Sequence, residues 1–335
     1  MLAFLLILAI QFATSEPLVL NGSGGVMRTV EKGEGLGVES LGGESREAFS
    51  KADFWKRLDR YGKARGHSLQ FAQFLTSQDE HKLARLLNDC GNYATFRDYF
   101  TIGQIRMESM CTCKKHLICN LCAIRRGAKA LRIYLARVTT LLDQDPALKP
   151  YLVTLTVKNG LDLGERFAHL ANSVRKYHKR RHGTRQTGEV RKAHSAVWSY
   201  EFTNKGNGWH PHVHSIWLCH TPPDPVTLSS EWRQLTGDSF IVDSRPLDMV
   251  DPVASFCEVF KYAIKFADLA NADRLHAHKT LKGKRLQDSF GDLRGLDVEL
   301  TEGDDLLDDL PFIRRLFHYV EGHGYVESST SKTAA

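Results

Sequence analysis

Apolar positions fall into three regimes along this chain. Between Glu44 and Tyr99 they recur at helical spacing, as in Ser50–Leu58 and Asp79–Leu87, and predict short amphipathic helices. Across Ala123–Leu142 the spacing of Ile124, Leu131, Leu135 and Val138 predicts one longer amphipathic helix. From Tyr151 the pattern changes. Strands are expected at Tyr151–Val157, Ala196–Thr203, His210–Leu218 and Phe240–Asp243, and helices at Asp162–Arg181, Val226–Leu235 and Pro252–Asp268. The two middle strands are joined by Asn204-Lys-Gly-Asn-Gly208, an Asn/Gly-rich turn of the kind that closes a β-hairpin.

The order βαββαβ followed by a helix predicts an α+β fold, a split βαβ (ferredoxin-like) core whose antiparallel sheet is covered by helices on one face. The 335 residues, 42% of them hydrophobic, suffice for one main domain with extensions. The expected divisions are a leader and linker over residues 1–45, a helical region with a Cys-rich segment over 46–145, the core over 146–270, and a polar, then acidic, C-terminal extension over 271–335. That extension carries no legible function. Residues 1–16 resemble a signal peptide in their apolar run, but the first basic residue is Arg28 and the run is too short to span a bilayer. A true start at Met27 and a cytoplasmic protein are therefore expected, with a genuine leader as the alternative. The eight glycines between Asn21 and Gly43 read as linker.

Charge adds a partner class. The net charge of +6, from 45 basic and 39 acidic residues, suits an anionic partner only mildly, but its distribution is uneven. Arg175–Lys192 holds eight basic residues against Glu189 alone, whereas Asp297–Asp309 holds seven acids and no base. Arg175, Lys176, Lys179, Arg180 and Arg181 are thus candidate DNA-phosphate contacts, the alternative being a solvated helix face. Arg125, Arg126, Lys129 and Arg132 offer a second basic helix. Seven cysteines, an odd number, argue against a disulfide framework. Cys111, Cys113, Cys119 and Cys122 have the paired spacing of a tetrahedral zinc site, with His116 a possible substitute ligand; the other reading is four small buried thiols. Cys90, Cys219 and Cys257 read as structural.

The sharpest chemistry lies in two motifs. On a strand, His210, His212 and His214 project to one face. The hairpin count brings Glu201 opposite His210 to His212, so His212, His214 and Glu201 form a candidate divalent-metal site, with a carboxylate that favours Mg or Mn. His210 reads either as a supporting or DNA-contacting residue or as a further ligand. On a helix, Glu258, Tyr262 and Lys265 share one stripe. Trp198, Trp209 and Trp217 either pack in the sheet or stack on bases.

Taken in order, the Tyr151–Asn159 strand, the His-Pro-His-Val-His strand and the Glu258-x-x-Lys-Tyr262 helix resemble the rolling-circle replication initiators of plasmids, within the His-hydrophobe-His (HUH) endonucleases. The resemblance covers roughly Cys111 to Asp268. It implies DNA nicking by Tyr262 to give a 5′-phosphotyrosine and a free 3′-hydroxyl. Lys265 would support the phenolate, and Glu258 would activate water for a terminating hydrolysis, the competing role for Glu258 being a salt bridge to Lys261. No Gly-x-x-x-x-Gly-Lys-Ser/Thr loop is present, so unwinding and synthesis fall to a host helicase and DNA polymerase. The competing readings are a single-tyrosine transposase or relaxase with the same chemistry, a non-catalytic zinc-dependent DNA-binding regulator, and a secreted metal-binding protein.

Overall fold

The computed structural model describes residues 48–182, 188–249, 252–260, 269–295 and 310–328. In chain order the elements begin with β1 (Ala48–Ser50), α1 (Lys51–Ser77), α2 (His81–Asp89), β2 (Tyr93–Tyr99), β3 (Gln104–Met110) and α3 (Asn120–Gln144). There follow β4 (Lys149–Thr156), α4 (Leu163–Lys179), β5 (Ala193–Asn204), β6 (Trp209–Cys219), α5 (Pro225–Thr236), β7 (Val242–Pro246) and α6 (Pro252–Phe260). The chain closes with α7 (Asn271–Leu281), β8 (Gln287–Phe290), β9 (Ile313–Val320) and β10 (Gly324–Glu327).

Among the described residues two five-stranded sheets form, one in the order β1-β3-β2-β9-β10 and the other in the order β7-β4-β6-β5-β8, with every neighbouring pair antiparallel. Local chemistry sets the helix starts in the second sheet. The Asp162 carboxylate accepts from the Glu165 amide at 2.8 Å, and Asp224 accepts from the Thr227 amide at 2.8 Å with Pro225 in the first turn. Gly237, at φ 76°, ends α5 in the left-handed conformation.

The second sheet is buried on both faces. Val153, Leu155, Trp198, Tyr200, Val213 and Trp217 face α4 and α5, packing with Leu170, Val174, Tyr177, Leu228 and Trp232. Leu152, Val197, Ile216 and Leu218 face the other way, in a core shared with Val138 of α3 and Phe256, Val259 and Phe260 of α6. The expectation of helices on one face is therefore corrected. From Ser195 to Thr203 every residue of β5 is buried, because α3, counted with the preceding region, covers the second face. Trp198, Trp209 and Trp217 are all buried in the core, which leaves none of them presented for stacking on bases.

The flanking regions also differ from expectation. The span read as helical contains β2 and β3, and the supposed extension completes both sheets. The burial of β2 alternates along Tyr93–Tyr99, a strand pattern that its polar residues obscure. Phe317 on β9 packs against Phe54 and Phe96, with ring centroids 5.5 Å from each. Phe240 and Ile241, expected to open a strand, are exposed and precede β7. Residues 1–47, the acidic run and residues 261–268 lie outside the described residues. Among the described residues no helix is long and apolar enough to cross a membrane.

Candidate active site and metal centres

In the hairpin register Glu201 lies opposite His212, and Ser199 opposite His214. The alternation that sends Val213 into the α4–α5 core sends His212 and His214 to the opposite face. There Glu201 Oε2 stands 3.1 Å from His214 Nε2 and 3.5 Å from His212 Nε2. The ligand atoms of these three residues all lie within 4.8 Å of one another, a group that could hold a metal ion. Glu201 is only 2% exposed. A divalent cation fits this donor set, because it offsets the cost of burying a carboxylate. Thr154, opposite His214 on β4, hydrogen-bonds His214 Nδ1 at 3.0 Å, which turns Nε2 toward Glu201.

The same face receives α6. Ser199 Oγ donates to the Val259 carbonyl, so this part of α6 lies beside the strand position facing His214. Tyr134 of α3 stacks on Phe260 at 5.3 Å. Glu258 belongs to α6. Tyr262 and Lys265 lie outside the described residues, as does the Glu258 side chain.

His210 is not among the clustered ligands. It pairs instead with Asn159, Nδ1 donating to Oδ1, and burial followed by the proximity of His212 lowers its pKa. A bridge holds this pair: the Trp209 amide donates to the Gly160 carbonyl at 2.7 Å and the Gly160 amide to the Trp209 carbonyl at 3.1 Å.

The basic run is placed elsewhere. Arg175, Lys176 and Lys179 are exposed on α4, and Arg180 and Arg181 follow it, on the face of the sheet opposite the histidines. Arg181 lies 4.0 Å over the Phe290 ring and donates to the His194 carbonyl, near the start of β5. Glu201 is seven residues further along that strand, roughly 23 Å at the usual strand rise. These residues and the metal group are not brought together. Of the second basic helix, Arg125 is engaged with Met107 Sδ at 3.0 Å, whereas Arg126 and Lys129 are exposed.

The cysteine cluster forms with one exchange of ligand. Cys90, Cys113, Cys119 and Cys122 bring their sulfurs within 4.8 Å of one another, with Cys90–Cys119, Cys90–Cys122 and Cys113–Cys122 each at 3.6 Å. These spacings approach the edge of a zinc–sulfur tetrahedron, about 3.8 Å, and are far longer than a disulfide. Cys111 is not a member. Its thiol donates to the Asp89 carbonyl at 2.9 Å, while Cys90, at the end of α2, takes the fourth corner. His116 also lies outside the cluster, and burial lowers its pKa to about 4.

Backbone and side-chain donors surround the sulfurs. The Cys113 amide points at Cys90 Sγ at 3.3 Å, the Cys122 amide at Cys119 Sγ at 3.5 Å, and Ser68 Oγ approaches Cys119 at 3.7 Å. Hydrogen bonding with Cys113, then with Cys122 and Cys90, holds the Cys119 thiol well below its usual value. Arg274 of α7 lies buried alongside, donating to the Ile118 carbonyl and to Asn120 Oδ1 and stacked 3.9 Å over Phe71. Burial lowers its pKa to about 9, opposed by the charge of Cys119. The Cys119 sulfur thus has a buried cation as counter-charge.

Comparison with family models, with curated proteins and with solved structures finds no match for this chain. Three contributors were missed in the sequence. Cys90 precedes the Cys113 position by more than twenty residues, outside any short ligand spacing, and its only signal was a cysteine beside Gly91 at a helix end. Thr154 was findable by aligning two alternating strands. Asn159 had none beyond following a strand.

Proposed function

We propose that this chain is a metal-dependent enzyme that nicks and rejoins one DNA strand, of the HUH type, and that it starts rolling-circle replication from a split βαβ core. The second sheet supports that reading, because its last, first, third and second core strands lie side by side and antiparallel. The observation that carries the proposal is the Glu201–His212–His214 group on one sheet face, with α6, which Tyr262 follows by two residues in sequence, bound to that face through Ser199 and Val259.

His212, His214 and Glu201 would hold Mg or Mn, and Thr154 would fix the His214 ring. When bound, the ion would polarise a non-bridging oxygen of the scissile phosphate. Tyr262 Oη attacks phosphorus and loses its proton; the bond from phosphorus to the 3′ oxygen breaks, and that oxygen leaves as a hydroxyl after taking up a proton. Lys265 favours the phenolate. Rejoining is the reverse transfer. Glu258 removes a proton from water in the terminating step. Zinc at the four-cysteine cluster would brace the N-terminal sheet, with a host helicase and DNA polymerase acting on the opened strand. Any DNA on Arg175–Arg181 would be a segment away from the nick.

The test is covalent capture. Wild type and Tyr262→Phe are incubated with Mn and single-stranded DNA tiled across the replicon that encodes the chain, then resolved by denaturing gel. An adduct in wild type alone, lost also in His214→Ala, is expected. Binding without an adduct on every tile would favour the non-catalytic regulator.

A further inference from the structure

Beside the metal group the β5–β6 hairpin tip and the loop after β4 enclose a cleft of about 340 Å³, lined by Asn159, Thr203, Lys205, Asn207, His210 and His212. Its size falls at the lower end of small-ligand pockets, which run to roughly 300–1,000 Å³. Its lining differs from that of an apolar pocket: the residues around it carry two amides, a hydroxyl, two imidazoles and one ammonium. Lys205 and Asn207 sit exposed at the tip, and Thr203 is buried at the base, opposite His210 in the hairpin register.

The cleft is built, and is not a gap left by a loose turn. Gly208, at φ 82°, brings the hairpin against the loop so closely that a Cβ there would stand 2.8 Å from the Gly160 carbonyl oxygen. The Gly160–Trp209 bridge then fixes Asn159 against His210. Because the Asn159 carbonyl accepts from His210, its NH₂ is the end left to donate into the cleft. His212 lies both in this wall and in the metal group, so the occupant touches the metal site directly.

We propose that this cleft holds one deoxynucleotide of the single-stranded substrate, the unit next to the phosphate at the metal group. Lys205 meets its phosphate, and the amides of Asn159 and Asn207 meet the hydrogen-bonding edge of its base. His210 is a positioning residue that fixes Asn159. The identity of the bound unit rests on the nuclease reading, but occupancy of the cleft can be measured without any cleavage.

Each of the four deoxynucleoside 5′-monophosphates, and inorganic phosphate as a control, is titrated calorimetrically into the full chain without added divalent metal. The titration is repeated with Lys205→Ala and Asn159→Ala. At least one nucleotide should bind in the millimolar range or tighter, with phosphate alone at least tenfold weaker. Lys205→Ala and Asn159→Ala should each weaken it about tenfold, as loss of a charged or paired hydrogen bond does. Absence of saturation by all four nucleotides, equal binding by the Lys205 and Asn159 variants, or phosphate binding as tightly as any nucleotide would overturn the proposal. Nucleotide binding without a covalent adduct on DNA would sink the nuclease reading and leave the pocket standing; an adduct without nucleotide binding would do the reverse.

Discussion

His214 shows how one side chain is set by several neighbours. Thr154 holds its Nδ1 at 3.0 Å, so Thr154→Val should weaken Mn binding about 10- to 100-fold by calorimetry while the fold persists. Cys90 and Cys111 make a second residue-scale contrast. If the four-cysteine cluster holds a metal ion, Cys90→Ser should lower the metal content and the melting temperature, whereas Cys111→Ser should keep both, as measured by elemental analysis and melting of the purified protein. Two histidines set an acid limit. His178 lies between Trp198 and Phe290, and burial followed by Arg181 lowers its pKa to about 3; for His116 the value is about 4. Both folded-state values lie below the ordinary one, so each ring is neutral when folded and protonates first in the unfolded chain. The stability they contribute is complete above about pH 6.5 and is lost as pH falls toward 4, by at most about 2 kcal/mol each at pH 5. Denaturant melts across that window should show the slope, and a flat profile would contradict the buried, neutral assignment.

At the level of elements, the β5–β6 hairpin was the most legible part of the chain. Its alternation and its Asn/Gly-rich turn were enough to place Glu201 among the histidines, because a strand period of two leaves only one register that buries Val213. The bridge from Gly160 to Trp209 was not legible, since it depends on a loop 49 residues earlier folding back on the hairpin. Gly208→Ala tests it. The positive φ and the approach to the Gly160 carbonyl should cost about 1–3 kcal/mol, read as a lowered melting temperature. The helices α4 and α5 were legible as Asp162–Arg181 and Val226–Leu235, whereas the capping bonds of Asp162 and Asp224 emerged only in the structure. The strands β2 and β3 were not, because seven-residue runs rich in polar residues carry too few apolar positions to fix a period.

Across the whole molecule the C-terminal strands close the N-terminal sheet, with β9 pairing to β2 and Phe317 fully buried between Phe54 and Phe96. Deleting residues 310–335 should therefore bare the edge of β2 and an aromatic cavity, giving aggregated or thermally unstable protein by size-exclusion chromatography and melting. A soluble truncation with an unchanged melt would show the C-terminal pair to be dispensable. By itself the sequence determined what local periodicity and short spacing can carry: the βαββαβ succession, the hairpin with its His and Glu group, and three of the four clustered cysteines. The tertiary structure alone decided what long-range pairing decides. It chose Cys90 over Cys111, covered the second face of the core sheet with α3, buried Trp198, Trp209 and Trp217, and placed Arg175–Arg181 away from the metal group. The physical reason is that side-chain direction within an element follows from its repeat, whereas which elements meet depends on burying apolar faces contributed from distant parts of the chain.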